Sequence, residues 1–396
     1  MKIVNERMEA LGNVRSVIRD LFEYGLQRKK EVGAENVYDY SLGNPSVPAP
    51  ACVDEAIEDL LQHTDSVQLH GYTSAQGAED VRQAVAAYVN ETFGAGVSAA
   101  DLYMTCGAAA SLTITLHALS TPGDECIAIA PFFPEYRVFA EGAGLKFRVV
   151  PADREAFQID FASLEETVNA HTKALIVNSP NNPSGVVYTR KTLERLCAFL
   201  GEKEREYGHP IYLISDEPYR ELVYDGQEVP YLPNLYDDTI VCYSFSKSLS
   251  LPGDRIGYIL VSPKACEHRA VYAAVAGAGR SLGYVCAPAM MQRVIARCLG
   301  KTSDLNVYRE NRDLLYNALT SYGYEAVYPD GAFYLFVKTP IDDAGAFAER
   351  AKAYDLLLVP SDSFGCGGYV RISYCVSTDM IRRSLPAFEK LISEYR

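Results

Sequence analysis

Residues 239–247 read TIVCYSFSK, an uninterrupted apolar run that ends in two hydroxyl side chains and a lysine. Apolar residues without alternation are typical of a strand buried on both faces of a mainly parallel sheet. Five further runs, most of them also apolar throughout, predict strands over residues 102–105, 126–130, 173–178, 211–215 and 256–261. Earlier in the chain, apolar spacing of the helical kind predicts helices over residues 16–27, 53–61 and 78–89.

This alternation of strands and helices predicts an α/β fold whose large domain has a mainly parallel, doubly wound sheet. From about residue 285 the pattern changes to one long helix, over residues 287 to about 318, followed by short strands at 333–337 and 369–373 and a final helix. We therefore expect a smaller α+β domain formed by both chain ends. The predicted division is residues 1–50 as an N-terminal segment of the small domain, 51–286 as the large domain, and 287–396 as the linking helix and the rest of the small domain.

The composition excludes several classes of function. A net charge of −14 over 396 residues opposes binding to nucleic acid or to an anionic membrane, since both require a basic face. The most apolar long stretch, residues 271–291, contains Arg280 and is rich in Gly and Ala, so it does not predict a membrane span. Ten cysteines without a CxxC pair, and six scattered histidines, argue against a metal site and indicate reduced thiols in a cytoplasmic enzyme.

Polar residues follow the predicted strands where those strands end. Lys247 ends the first run, Arg255 follows shortly after it, and Asp216 ends the run at 211–215, just before Glu-Pro-Tyr219. Ligands of open α/β sheets bind beyond the carboxyl ends of the strands. A lysine there, close to other positive charge, can serve as a nucleophilic amine. Taken singly, a surface lysine or a helix-capping aspartate accounts equally well for each residue.

Two other strand ends carry loop-forming sequences. NSPNNPSG at residues 178–185 predicts a tight turn, and CGAAAS at 106–111 opens a helix whose free N–H groups could bind an anion such as phosphate. Each is a weak signal alone, because either is also an ordinary loop or helix start. The chain has no Trp, so any aromatic platform at the site must be Tyr or Phe.

Taken together and in this order, CGAAAS, NNPSG, DEPY, SFSK with a nearby R-x-G, and the late VRIS are highly specific. The chain resembles the fold-type I, pyridoxal-phosphate-dependent aminotransferases of the class I/II family. The resemblance extends from about Ser16 to the C-terminus. It implies pyridoxal 5′-phosphate as the cofactor.

The resemblance also implies the cofactor-binding residues. Lys247 matches the lysine that forms a Schiff base with the cofactor aldehyde, and Asp216 matches the carboxylate that keeps the ring nitrogen protonated. Asn182 and Tyr219 match donors to the phenolate oxygen, and Tyr219 joins Lys247 and Asp216 as a catalytic residue. Phe133 of PFFPEY matches the residue that stacks on the ring. The phosphate-binding positions are matched by Gly107, Ala108, Ser244, Ser246 and Arg255.

Substrate and subunit contacts are implied in the same way. Arg371 of VRIS matches the arginine that binds the substrate α-carboxylate, a role that suits its planar guanidinium. Gly43 and Asn182 match further substrate contacts, and Tyr72 matches a tyrosine that reaches the phosphate of the neighbouring subunit. The protein is therefore expected to be a homodimer with shared sites. Ala108 and Ala109 stand where many relatives carry polar side chains, which leaves backbone contacts to the phosphate.

The expected reaction is ping-pong transamination between an L-amino acid and a 2-oxo acid, with 2-oxoglutarate as the expected acceptor. Two alternatives remain: a β-lyase that uses the same cofactor, and a non-catalytic aminotransferase-like sensor module. Donor identity is not predicted. Arg280 could select an acidic side chain or bind a neighbouring backbone or subunit, and Arg15 and Tyr24 could also touch the substrate.

Overall fold

The structure is a computed structural model that describes residues 3–13 and 17–396. Its α-helices, in chain order, are α1 (Glu6–Asn13), α2 (Val17–Val32), α3 (Ala51–His63), α4 (Ser66–His70), α5 (Glu79–Phe93), α6 (Ala108–Leu119), α7 (Glu135–Gly142), α8 (Phe161–Thr167), α9 (Arg190–Tyr207), α10 (Phe245–Ser248), α11 (His268–Ser281), α12 (Ala289–Arg297), α13 (Leu305–Ser321), α14 (Ala344–Ala351) and α15 (Thr378–Ser393). Its strands are β1 (Tyr38–Asp39), β2 (Leu102–Thr105), β3 (Glu125–Ile129), β4 (Lys146–Val150), β5 (Thr172–Asn178), β6 (Tyr212–Asp216), β7 (Thr239–Ser244), β8 (Gly257–Val261), β9 (Glu325–Ala326), β10 (Tyr334–Lys338), β11 (Leu356–Leu357), β12 (Val359–Pro360) and β13 (Tyr369–Ser373).

The described residues form two compact units. The large unit contains Pro45–Asn306 and Pro329–Ala332. The small unit contains the described residues up to Asn44 together with Val307–Tyr328 and Phe333–Arg396. The domain bounds at residues 50 and 286 stay a prediction from the sequence.

The large unit is built around a seven-stranded sheet in the order β2-β8-β7-β6-β5-β3-β4. Strands β7, β6, β5, β3 and β4 are parallel to their neighbours, whereas β8 runs antiparallel to both β7 and β2. The α/β class with a mainly parallel sheet is thus confirmed. Because β8 alone is reversed, its first residues lie at the same sheet edge as the last residues of β5, β6 and β7.

Apolar side chains cover both faces of this sheet, as the unbroken apolar strands require. On one face, Leu112 of α6 and Val275 of α11 pack against Ile176 and Ile214 of the sheet. The other face is covered in part by a cluster that contains Leu164 of α8 and Leu193 and Leu196 of α9. With both faces covered in this way, the open edge at the strand ends is where a ligand can bind.

The small unit has its own antiparallel sheet in the order β12-β13-β10-β9, and a parallel pair, β1 and β11. In the antiparallel sheet, Arg371 of β13 lies opposite Phe336 of β10 and Val359 of β12. Helix α15 contributes buried Ile381, Phe388 and Leu391 to the core of this unit. A smaller α+β domain formed by both chain ends is therefore confirmed as part of the fold class.

The single helix expected over residues 287 to about 318 is wrong. Two helices, α12 and α13, replace it. Gly300 between them has a φ of 73°, in the left-handed region that L side chains rarely adopt. Asp304 then accepts a 3.0 Å hydrogen bond from the backbone N–H of Asn306, which favours a new helix start.

None of the helices within residues 3–13 and 17–396 combines the length and the apolar character needed to span a bilayer.

Candidate active site

The ends of β5 and β6 are joined by one buried asparagine. Asn178 lies opposite Asp216 in the sheet, and its Nδ2 donates a 2.9 Å hydrogen bond to the Asp216 backbone carbonyl. Its Oδ1 accepts a 2.8 Å hydrogen bond from the backbone N–H of Asn182. Asn178 therefore fixes the NSPNNPSG turn against the strand that carries Asp216, a role that the sequence did not predict.

Asp216 is the most strongly perturbed acid at this edge. Its side chain is buried, and Oδ2 accepts a short hydrogen bond from the hydroxyl of Tyr136 in α7. Oδ1 is also buried and has no hydrogen-bond partner within the described part of the chain. Burial raises the pKa of Asp216 to about 7, although the Tyr136 hydrogen bond acts in the opposite direction. A cation beside Oδ1 would therefore stabilise the carboxylate.

Lys247 lies in the four-residue helix α10, which directly follows β7. Ser244 starts this helix, since its Oγ accepts a 3.2 Å hydrogen bond from the N–H of Ser246 and lies 2.7 Å from the Ser246 hydroxyl. Both serines are buried, whereas Lys247 is half-buried. The β7 register places Cys242 opposite Asp216, so the lysine follows the strand next to the aspartate.

The start of α6 forms a second part of this edge. Gly107 precedes the helix with a φ of 88°, and Nη2 of Arg255 lies 3.1 Å from the position that a Cβ on Gly107 would take. The guanidinium also donates a 2.8 Å hydrogen bond to the backbone carbonyl of Pro252. Free N–H groups of a twelve-residue helix beside a guanidinium suit an anion such as phosphate.

Gly257 at the start of β8 allows this arrangement. A Cβ at this position would overlap the backbone carbonyl oxygen of Tyr243 and would lie 3.0 Å from Cα of Gly107. Both contacts are with backbone atoms, which cannot move aside as a flexible side chain can. We expect Gly257→Ala to lower the free energy of unfolding by about 1–3 kcal/mol and to weaken cofactor binding, as measured by urea unfolding and by cofactor titration.

Gly142 provides the matched control. A Cβ there meets no atom of the described residues within 4 Å, and its φ is not left-handed. Gly142→Ala should change stability by no more than about 0.5 kcal/mol. Equal stability and equal cofactor affinity in the two variants would contradict the close approach of β8 to the Gly107 turn.

Asn182 and Tyr219 are brought together by the turns that follow β5 and β6. The Nδ2 of Asn182 lies 3.5 Å from the Tyr219 hydroxyl, and both residues are buried. Phe133 is half-buried, and its ring meets the ring of Tyr136 edge-on, with centroids 5.7 Å apart. The structure thus places the two expected donors in contact and packs Phe133 against the tyrosine that binds Asp216.

The small unit holds Arg371 in an aromatic setting. Arg371 is 2% exposed, its Nη2 donates a 2.5 Å hydrogen bond to the backbone carbonyl of Ser41, and its guanidinium lies 4.8 Å from the ring centroid of Tyr334. A Cβ on Gly43 would overlap the Tyr334 hydroxyl. Gly43 and Arg371 therefore share Tyr334 as a neighbour, which agrees with a small residue being required at position 43.

The structure leaves the other predicted contacts as predictions. Tyr72 is 99% exposed. Arg280 lies near the end of α11 and is exposed. Tyr24 of α2 is 37% exposed, and the ammonium of Lys352 lies 4.8 Å from its ring centroid. Arg15 lies outside the described residues.

Comparison with known proteins identifies the class. The family model for "Aminotransferase class I and II" matches residues 34–388. The chain is 30% identical to the aspartate/prephenate aminotransferase of Thermus thermophilus, over 88% of this chain and 89% of that protein. It is 31% identical to the aspartate aminotransferase of Thermotoga maritima, over 91% and 92%. The crystal structure of an aminotransferase from Eubacterium rectale superposes with a TM-score of 0.98 at 57% identity, over all of both chains.

The chain therefore belongs to the class I and II aminotransferases. It is a pyridoxal-phosphate-dependent enzyme of fold type I that transfers an amino group between an amino acid and a 2-oxo acid. The sensor-module alternative is thereby excluded.

Proposed function

We propose that this aminotransferase works by a ping-pong mechanism with 2-oxoglutarate as the amino acceptor, and that the residues at the sheet edge of the large unit hold pyridoxal phosphate. The observation that carries the proposal is Oδ1 of Asp216, a buried oxygen without a hydrogen-bond partner among residues 3–13 and 17–396. A protonated ring nitrogen would supply both the missing donor and the missing positive charge. Arg255 and the start of α6 supply what a phosphate requires.

When bound, pyridoxal phosphate supplies an aldehyde for covalent attachment and a cationic ring that withdraws electrons from the α-carbon of the substrate. Asp216 holds its negative charge where that ring nitrogen would lie. Asn182 and Tyr219 donate hydrogen bonds to the phenolate oxygen. Phe133 packs on the ring face.

Lys247 is the proposed catalytic acid and base. Its Nζ accepts the proton from the α-carbon of the amino acid, and it donates a proton to the same carbon in the reverse direction. The amine must be neutral when it accepts this proton. Its place in the turn that leads to Arg255 helps to keep it so, since neighbouring positive charge disfavours the protonated amine.

Arg371 is proposed to bind the α-carboxylate of the substrate. Its guanidinium is oriented by the Ser41 carbonyl and by the Tyr334 ring. These contacts leave little rotational freedom to lose on binding, which favours bidentate recognition. Gly43 and Asn182 are the further substrate contacts in this proposal.

The protein is further proposed to be a homodimer in the cytoplasm. Tyr72, Val67 and Leu61 are 99%, 81% and 59% exposed, an apolar surface of the kind that a second copy covers. In this dimer Tyr72 would reach the phosphate held by the other subunit. The abundance of cysteines without disulfides supports the cytoplasmic location.

A single-turnover screen tests the proposed reaction. The holoenzyme is mixed with each amino acid in turn, without any 2-oxo acid. A true donor is expected to release one equivalent of its own 2-oxo acid and to remove the visible absorption of the bound cofactor. With the best donor, 2-oxoglutarate should then restore the absorption, and initial rates should give parallel double-reciprocal plots.

Arg371→Lys provides the variant arm of this screen. A lysine keeps the charge but loses the bidentate geometry, so KM for the donor should rise about 10- to 100-fold with little change in cofactor affinity. Release of pyruvate and ammonia from a cysteine-type substrate would instead favour the β-lyase. Unchanged KM in Arg371→Lys would contradict the carboxylate-binding role.

A further inference from the structure

Tyr136 contacts the carboxylate on which the proposed cofactor site depends. It lies in α7, is 1% exposed, and donates its short hydrogen bond to Oδ2 of Asp216. The other oxygen, Oδ1, is the one without a partner among the described residues. The two oxygens of one carboxylate therefore have different surroundings, one fixed by the protein and one available to a ligand.

The hydroxyl of Tyr136 is suited to act as a permanent donor. Burial, and then the negative charge of Asp216, raise the pKa of Tyr136 well above its usual value, so the phenol keeps its proton. A hydrogen bond donated to a carboxylate favours the charged form. Tyr136 thus favours the ionised state of Asp216 that pairing with a cationic ring requires.

The other groups near Asp216 do not replace this donor. Negative charge on Glu217 raises the pKa of Asp216, and Glu217 is itself paired with Arg220 at 2.5 Å. The thiol of Cys242 lies opposite Asp216 in β7 and stays protonated, because burial raises its pKa. The titratable groups that face the carboxylate are therefore Tyr136, Glu217, Cys242 and, through Tyr136, Tyr219.

We propose that Tyr136 is a positioning residue, whose hydroxyl fixes Oδ2 of Asp216 and thereby presents Oδ1 to the ring nitrogen of pyridoxal phosphate. This inference rests on the proposed role of Asp216. The aromatic ring of Tyr136 has a separate task, since it meets Phe133 edge-on with planes at 84°. Replacing only the hydroxyl separates the two tasks.

Tyr136→Phe keeps the ring and its contact with Phe133 but removes the donor. We expect the dissociation constant of pyridoxal phosphate, measured by dialysis of the holoenzyme, to rise about 10- to 100-fold near neutral pH. The acid limb of this constant should also move to higher pH, because Asp216 without the hydrogen bond ionises less readily. KM for the amino acid should change little, whereas kcat should fall.

Tyr212→Phe is the matched control. Tyr212 is a buried residue of β6 in the same unit, and its hydroxyl donates a 3.2 Å hydrogen bond to the backbone carbonyl of Cys266, not to Asp216. Its removal should leave cofactor affinity and the pH profile as they are in the unaltered enzyme. If Tyr136→Phe behaves like Tyr212→Phe in both measurements, the positioning role is overturned.

A double-mutant cycle with Asp216→Asn shows whether the hydroxyl acts through the carboxylate. In the Asp216→Asn background the effect of Tyr136→Phe on the dissociation constant should fall to about twofold or less. An effect of full size in that background would overturn the proposal. If Asp216→Asn alone leaves cofactor binding unchanged, both the role of Asp216 and that of Tyr136 fail. A strong effect of Asp216→Asn without one of Tyr136→Phe removes only this inference.

Discussion

Lys247→Ala is expected to lower the transamination rate by at least about 10⁴-fold. The amine has two tasks that alanine cannot perform, covalent attachment of the cofactor and transfer of the α-proton. The visible absorption of the attached cofactor should also be missing. Borohydride reduction of the unaltered enzyme, followed by mass spectrometry, should add the cofactor mass to the peptide that contains Lys247 and to no other.

Lys264→Ala controls for the loss of a lysine from the same unit. Lys264 is exposed and directly follows the end of β8, away from the edge where Lys247 lies. Its replacement should leave both the absorption and the rate unchanged. Normal covalent attachment of the cofactor in Lys247→Ala would mean that another amine is the attachment site, and the assignment of Lys247 would be wrong.

Asp216→Asn is expected to lower kcat by about 10²- to 10⁴-fold, since removing one partner of a buried charge pair costs about 3–5 kcal/mol. Asparagine is nearly the same size and can still accept the Tyr136 hydrogen bond, so the loss reports the charge alone. The ring nitrogen would no longer be held in its protonated state. Steady-state kinetics with the best donor from the single-turnover screen measures the change.

The same variant should have the opposite effect on the stability of the cofactor-free protein. Burial raises the pKa of Asp216 from 3.8 to about 7, so the folded state binds the proton more tightly than the unfolded state does. The stability that protonated Asp216 contributes is complete below its unfolded pKa and is lost as pH rises through the folded pKa. At about pH 8, Asp216→Asn should therefore be more stable than the unaltered protein by up to about 4 kcal/mol, measured by urea unfolding.

Asp238→Asn separates the two consequences. Burial raises the pKa of Asp238 to about 6, and this residue lies beside the first residue of β7, at the opposite end of that strand from Ser244. Its replacement should stabilise the protein at high pH in the same direction but leave kcat unchanged. A kcat for Asp216→Asn within about threefold of that for Asp238→Asn would contradict the role of Asp216.

The predicted strands and the predicted site agree with the structure where one local signal carries both. An apolar run followed by Asp216 or Ser244 marks a strand that is buried on both faces and ends at an open edge. β4 was not predicted, because KFRVV lies at the edge of the sheet and its side chains alternate between exposed and partly buried positions. Gly300 was read as part of a helix, although its backbone is left-handed.

Tyr136 and Asn178 were quoted within motifs but received no role. Their function depends on partners that are distant in sequence or on an adjacent strand, namely the Asp216 carboxylate and the Asp216 backbone. No local pattern encodes such contacts, since a buried tyrosine after PFFPE is equally compatible with simple packing. Tyr72 is a different case, because its predicted partner belongs to a second chain.

The reversed direction of β8 has a consequence for chain length. Lys247 ends one strand region and Arg255 begins the next, and the connection between them is anchored by Leu249 and Leu251, which are buried. One small ligand would be attached covalently at one end of this connection and ionically at the other. The number of residues in the connection therefore fixes the separation of the two attachment points, so cofactor affinity depends on the length of this loop as well as on its side chains.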